Sequence, residues 1–109
     1  MIGLQKLSYV LYDSIEQTKR QTKSIENENS ISFDLSLDSD FTLYDVVLLA
    51  DAPTKPLYHG SLYSSSSDTV IVDISKIHIS SVSFASGSLT FGFDATYSGS
   101  FVISFTKRV

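Results

Sequence analysis

The sequence predicts a mainly β protein: an antiparallel β-sandwich or jelly-roll-like domain of about seven short strands, preceded by one N-terminal amphipathic α-helix. Three observations carry that prediction. Hydrophobic spacing changes from a period near 3.5 to a period of two close to residue 30. Clusters of Ser, Gly, Asp and Pro break the second part into short runs, the punctuation of an all-β chain. Composition changes at the same place: all three Glu and two of the three Gln lie within residues 14–30, and neither type occurs after it.

The helix comes first. Leu4, Leu7, Leu11, Ile15, Thr18, Thr22 and Ile25 follow one another at steps of three or four residues, the spacing of a narrow contact seam. Glu, Gln, Lys and Arg favour helices because their unbranched stems lose little rotamer freedom there. Lys19, Arg20 and Lys23 lie C-terminal to Asp13 and Glu16, the order that a helix dipole prefers. Glu16 and Arg20 also form an i,i+4 pair. The predicted helix covers about residues 4–26 and ends in the polar "ENENS". Its seam opens on leucines and closes on threonines. It suits either a helix docked on its own domain or a coiled-coil stalk shared with sister chains. Residues 1–29 are thus an expected helical arm with a polar linker, and residues 30–109 an expected β-sandwich domain.

In "ISFDLSL", Ile31, Phe33, Leu35 and Leu37 alternate with Ser32, Asp34 and Ser36, so this strand has one buried face and one wet face. "DSD" turns the chain into "FTLYDVVLLA", whose second half reads as apolar on both faces. "DAPTKP" is a loop, because its prolines cannot donate to a central ladder. "LYHGSLY" is a shorter strand and "SSSSD" a polar tip. In "TVIVDI", Val70, Val72 and Ile74 share one phase; Ile77 and Ile79 take the other, and Val82 and Phe84 return to the first. Two inversions so close together predict bulges or a bend, since a slip of one residue exchanges the faces. The last third holds Ser86-Gly87 and Ser98-Gly99, read as two hairpin turns joining three strands.

Charge narrows the function classes. Residues 1–29 are neutral, while residues 30–109 set four basic side chains against eight Asp and carry the whole net charge of −4. An acidic body without a basic cluster predicts no nucleic-acid partner. The longest apolar run, "VVLLA", is too short to span a bilayer, so no membrane insertion is expected. The N-terminus lacks the pattern of a signal peptide, which predicts cytoplasmic synthesis. There is no cysteine to form a disulfide.

No catalytic or metal constellation is predicted, and no cofactor. His59 and His78 are far apart in sequence and read as ordinary strand histidines. The chain has no GxSxG elbow and no phosphate-cradling glycine loop. Asp38, Asp40, Asp45 and Asp51 lack the glycine and distal glutamate of an EF-hand loop, and read as turn caps. Tyr44, Tyr58 and Tyr63 flank loops and are the candidate stacking platform for carbohydrate.

Low charge, abundant Ser and aromatic-rich strands predict a non-enzymatic structural or assembly protein. In composition it is similar to small virus and phage particle components of the decoration, spike, collar or tail-fibre type. The expected partners are copies of itself (a homo-oligomer, trimers included) or a larger assembly that carries it into a virion. The Leu4–Ile25 seam is the expected contact. The alternative is a carbohydrate- or receptor-binding module using the loops around residues 51–68.

Overall fold

The computed structural model describes residues 18–35, 42–64 and 69–108. They form six strands: β1 (Thr18–Asp34), β2 (Thr42–Ala50), β3 (Leu57–Ser64), β4 (Thr69–Ile77), β5 (Ile79–Ala85) and β6 (Ser88–Lys107). All pairings are antiparallel and belong to one sheet, ordered β1-β6-β2-β3-β4, with β5 also paired to β6. The mainly β, antiparallel prediction holds. Where about seven short strands were expected, the described residues contain six, and two of these are 17 and 20 residues long.

The length of β1 and β6 organises the molecule. The first half of β6 lies between β5 and residues 30–34 of β1; its second half lies between β2 and residues 18–25 of β1. Both strands bend together where their register shifts, between Ile25 and Ser30. There Asn27 takes a φ of 51° and Gly99 a φ of 134°, and Asn27 N–H donates to Ser98 Oγ at 2.8 Å. The bend folds the sheet on itself. Phe93 then stacks on Phe101 of the same strand at 5.6 Å, and Phe91 meets the edge of Tyr58 at 5.2 Å.

The period-two reading of residues 31–35 and 89–105 explains the core. Ile31, Phe33, Leu35, Leu89, Phe91, Phe93, Phe101, Ile103 and Phe105 are all buried. Tyr44, Val46, Leu48, Tyr58 and Leu62 from β2 and β3 and Ile79 from β5 complete the cluster. Outward positions on β1 and β6 carry hydroxyls that pair across the strands: Thr18 with Thr106, Ser24 with Ser100, and Ser32 with Thr90, at 2.7–3.0 Å. Such cross-strand Thr and Ser pairs stabilise a wet sheet face.

Four sequence expectations change. The helix predicted over residues 4–26 is a strand from Thr18 onward, because residues 18–25 pair in unbroken register with residues 99–106 of β6. A long-range ladder overrides the local helical preference of Lys, Gln and Arg. Residues 4–17, with Leu4, Leu7, Leu11 and Ile15 of the expected seam, lie outside the described residues. Secondly, β1 runs through residues 29 and 30 without ending, where the period changes. Thirdly, Ser86-Gly87 is a hairpin turn joining β5 to β6, but Ser98-Gly99 lies inside β6 and bends it without reversing it. Finally, β2 is not buried on both faces: Val47 is half-buried and Leu49 is 51% exposed.

Candidate functional site

β1 and β4 end the main strand order of this open sheet, and β5 branches from it, paired among the described residues with β6 alone. Free N–H and C=O groups on a terminal strand can pair with another chain, and proteins usually protect them. The β1 side is protected from within. Lys19, Gln21, Lys23 and Ile25 oppose Phe105, Ile103, Phe101 and Gly99 and so share the inward face of β6. From there Lys23 Nζ donates to the Ser32 carbonyl at 2.8 Å, and Gln21 Nε2 to the Asp34 carbonyl at 2.6 Å. Two polar heads thus cap backbone acceptors on the far arm of the same strand.

The β4 side is built differently. Val70, Val72, Ile74 and Ile77 are 44–59% exposed, and Tyr63, opposite Val70, is 39% exposed. The apolar alternation in "TVIVDI" is present, but it takes the outer phase; Ile71 is the residue that packs on the core. Among the described residues β4 pairs with β3 alone. Large exposed side chains scattered singly mean little, whereas a contiguous apolar strip marks a contact surface.

Local chemistry fixes the shape of this edge. Opposite His59 and Gly60 the β4 register skips from Ser75 to Asp73, so Ile74 is the extra residue of a bulge. Gly60 is required here because Tyr58 folds over it; a β-carbon on Gly60 would collide with the Tyr58 hydroxyl. The buried Tyr58 ring crosses the glycine, and its hydroxyl donates to Asp73 Oδ1 at 2.6 Å. Burial, and then the Asp73 carboxylate, push the Tyr58 hydroxyl well above the ordinary tyrosine range. Asp73 Oδ2 also meets Lys76 Nζ at 3.3 Å. Glycine, ring and carboxylate together hold the bulged edge in place.

Two further polar clusters lie elsewhere. Between β4 and β5, His78 takes a φ of 58°, and its Nδ1 lies 2.8 Å from Asp94 Oδ2. Tyr97 donates to Asp94 Oδ1 at 2.6 Å. Both bonds favour the charged carboxylate, the Tyr97 bond most, and hold Asp94 below the ordinary aspartate value. In the loop after β2, Lys55 donates to Asp51 at 2.8 Å, and the Ser100 N–H reaches the other carboxylate oxygen. These contacts lower the Asp51 value as well. Each cluster satisfies itself, and each lies at a bend or a loop, which is the work of a structural clasp. Among the described residues no group of three or more His, Asp or Glu is placed to hold a metal ion.

The residues expected to form a site do not come together. Tyr44 and Tyr58 are core residues, 4% and 3% exposed, because their phase on β2 and β3 points inward beside Val46 and Leu62. Tyr63 alone of the three faces out. His59 is exposed on the outer face of β3, opposite Ser75. Asp38 and Asp40 lie outside the described residues, and Asp45 is engaged by Arg108 at 3.2 Å. Of the seam, Thr18, Thr22 and Ile25 lie on β1: Thr18 and Thr22 on its outer phase, Ile25 against the core. The surface that sequence reasoning missed is β4. Its signal was present as valines and isoleucines on both phases of one short strand, more apolar positions than one buried face can use.

No protein-family model matches the sequence, and no curated protein matches it. Among solved structures, the chain is similar to the tailspike protein gp49 from Acinetobacter baumannii bacteriophage Fri1, a capsular polysaccharide depolymerase. The identity is 12% and the TM-score 0.46, over 85% of this chain and 18% of the tailspike. At that score the likeness assigns neither fold nor activity.

Proposed function

We propose that this chain is a non-enzymatic assembly module: a small sandwich-like β unit that works by packing on other protein chains. One observation carries the reading, the apolar strip of β4 on an edge that the described residues leave without a second strand. The self-satisfied clasps at His78–Asp94–Tyr97 and Asp51–Lys55 are consistent with it. So is the Ser and Thr ladder, which gives the opposite side of the sheet a wet, inert surface. A component of a larger particle, of the kind that viruses and phages build, is the concrete form that the composition favours. In that setting Leu4, Leu7, Leu11 and Ile15 of the expected seam supply a second contact in addition to β4. The carbohydrate alternative has lost two of its three tyrosines to the core.

Light scattering across a concentration series tests the reading. Three proteins are compared: the full chain, a chain lacking residues 1–17, and a Val70→Lys/Val72→Lys/Ile74→Lys variant. The reading expects the full chain to form species larger than one copy, and at least one of the two changes to disperse them. Monomers at every concentration, with no apolar-dye binding that the lysines remove, contradict it.

A further inference from the structure

The β4 edge has an internal pattern that says what kind of chain it fits. Val72, Ser75 and Ile77 lie opposite Ser61, His59 and Leu57, and so share the outer face; Asp73 and Lys76 lie opposite Gly60 and Tyr58, on the inner side. Asp73 and Lys76 are three residues apart, and on a regular strand they would point to opposite faces. The extra residue at Ile74 puts them on one face, near enough to bond at 3.3 Å.

Suppose two copies of β4 run antiparallel about a two-fold axis between Ile74 and Ser75. Asp73 of each then faces Lys76 of the other, and Val72 of each faces Ile77 of the other. Both matches are same-face matches, and they are so only because of the bulge. A two-fold contact must be complementary to itself, and this strand is: its acid and its base exchange places across the axis, and so do its apolar residues. The strand has no other charge in its nine residues.

We propose that β4 is the seam of a homodimer, in which two copies pair their β4 strands antiparallel with Asp73 of one facing Lys76 of the other. The proposal rests on the assembly reading and names its partner: a second copy of this chain. Affinity comes from covering Val70, Val72, Ile74 and Ile77 and from backbone pairing along the edge. The charges set the register and not the strength, because both side chains are more than a third exposed and such pairs contribute little by themselves.

Charge exchange on the full-length chain provides the test, read by sedimentation equilibrium. Asp73→Lys and Lys76→Glu each place like charges opposite one another in a homodimer and weaken it at least about tenfold. An equimolar mixture of the two restores dimerisation, since opposite charges then meet at both positions. Asp73→Lys also removes the Tyr58 acceptor, so a second measurement avoids that site. The natural chain has no cysteine, and in the double variant Val72→Cys/Ile77→Cys each new thiol lies opposite the other one across the axis. Within one chain the two positions are five residues apart on a strand, well beyond the reach of about 7 Å that a disulfide allows. Oxidation is expected to give a covalent dimer from the double variant and none from either single variant. The inference is overturned if the mixture dimerises no better than its components, or if single and double variants cross-link equally. Association that ignores every β4 change overturns this inference and leaves the assembly reading standing. A wild-type chain that is monomeric throughout overturns this inference, and it removes the assembly reading as well where no apolar dye binds that the lysines displace.

Discussion

β1 and β4, at the two ends of the main strand order, face the same physical problem and resolve it in opposite ways. On β1, Gln21 and Lys23 reach across the bend and donate to the carbonyls of Asp34 and Ser32. Its outer face carries Thr and Ser, and Lys19, Arg20, Glu26 and Glu28 are exposed along it. On β4, four large aliphatic side chains are exposed, and the two charges bond to each other within the strand. An inward-pointing lysine and a charged rim are recognised ways to blunt an edge; a flat apolar edge invites pairing. Within one small sheet, blunting at one end shows that the open end is not a general property of this composition. The difference lies in where the charges were placed.

Substitutions can break that contrast, and the largest effect is expected where the β4 edge is anchored. Tyr58→Ala removes a buried ring that touches Phe91 and holds Asp73, and should destabilise the fold by about 3 kcal/mol in chemical denaturation. Gly60→Ala comes next, at about 2 kcal/mol, because its β-carbon occupies the place of the Tyr58 hydroxyl and the buried ring has little room to shift. On the opposite edge Gln21→Leu/Lys23→Met leaves two carbonyls uncapped. The expected cost is about 1 kcal/mol, together with new concentration-dependent association that light scattering would detect. Val72→Lys/Ile74→Lys should change stability by no more than about 0.5 kcal/mol, since both side chains are exposed. It should nevertheless abolish association.

The smallest effect is expected from acid. Asp51 and Asp94 are held below the ordinary value of 3.8 by their hydrogen bonds. A carboxylate with a depressed folded value stabilises the fold above its unfolded value and loses that contribution as pH falls through the folded one. Thermal melts should therefore be flat from neutral pH down to the ordinary aspartate range and fall only below it. Asp94→Asn should reduce part of that fall.

Much of the fold was legible in sequence where one side-chain period served one buried face. The alternation of Ile31, Phe33 and Leu35, and of Leu89 through Phe105, predicted both the strands and the core. The inversions after Val72 predicted the bulges near Ile74 and Ser80. Two things were not legible. Thr18–Glu26 reads as helix because its residues are good helix formers, and the strand partner that overrides them lies about 80 residues away in sequence. The alternation of Thr18, Arg20, Thr22 and Ser24 was the period-two signal available there. In β4 the alternation was visible, but not which phase faced out, because both phases are apolar. The choice depends on Ile71 fitting the core beside Leu62, a tertiary fact. The candidate site was hidden for the same reason: tyrosines near loops look alike in sequence whether they point in or out.

Amide hydrogen exchange on the full-length chain, compared at low and high protein concentration, tests the contrast between the two edges most directly. Residues 70–77 of β4 should gain protection as concentration rises, while residues 18–25 of β1 exchange at an unchanged rate. Equal change at both edges, or a β4 strand that exchanges alike at every concentration, would contradict it.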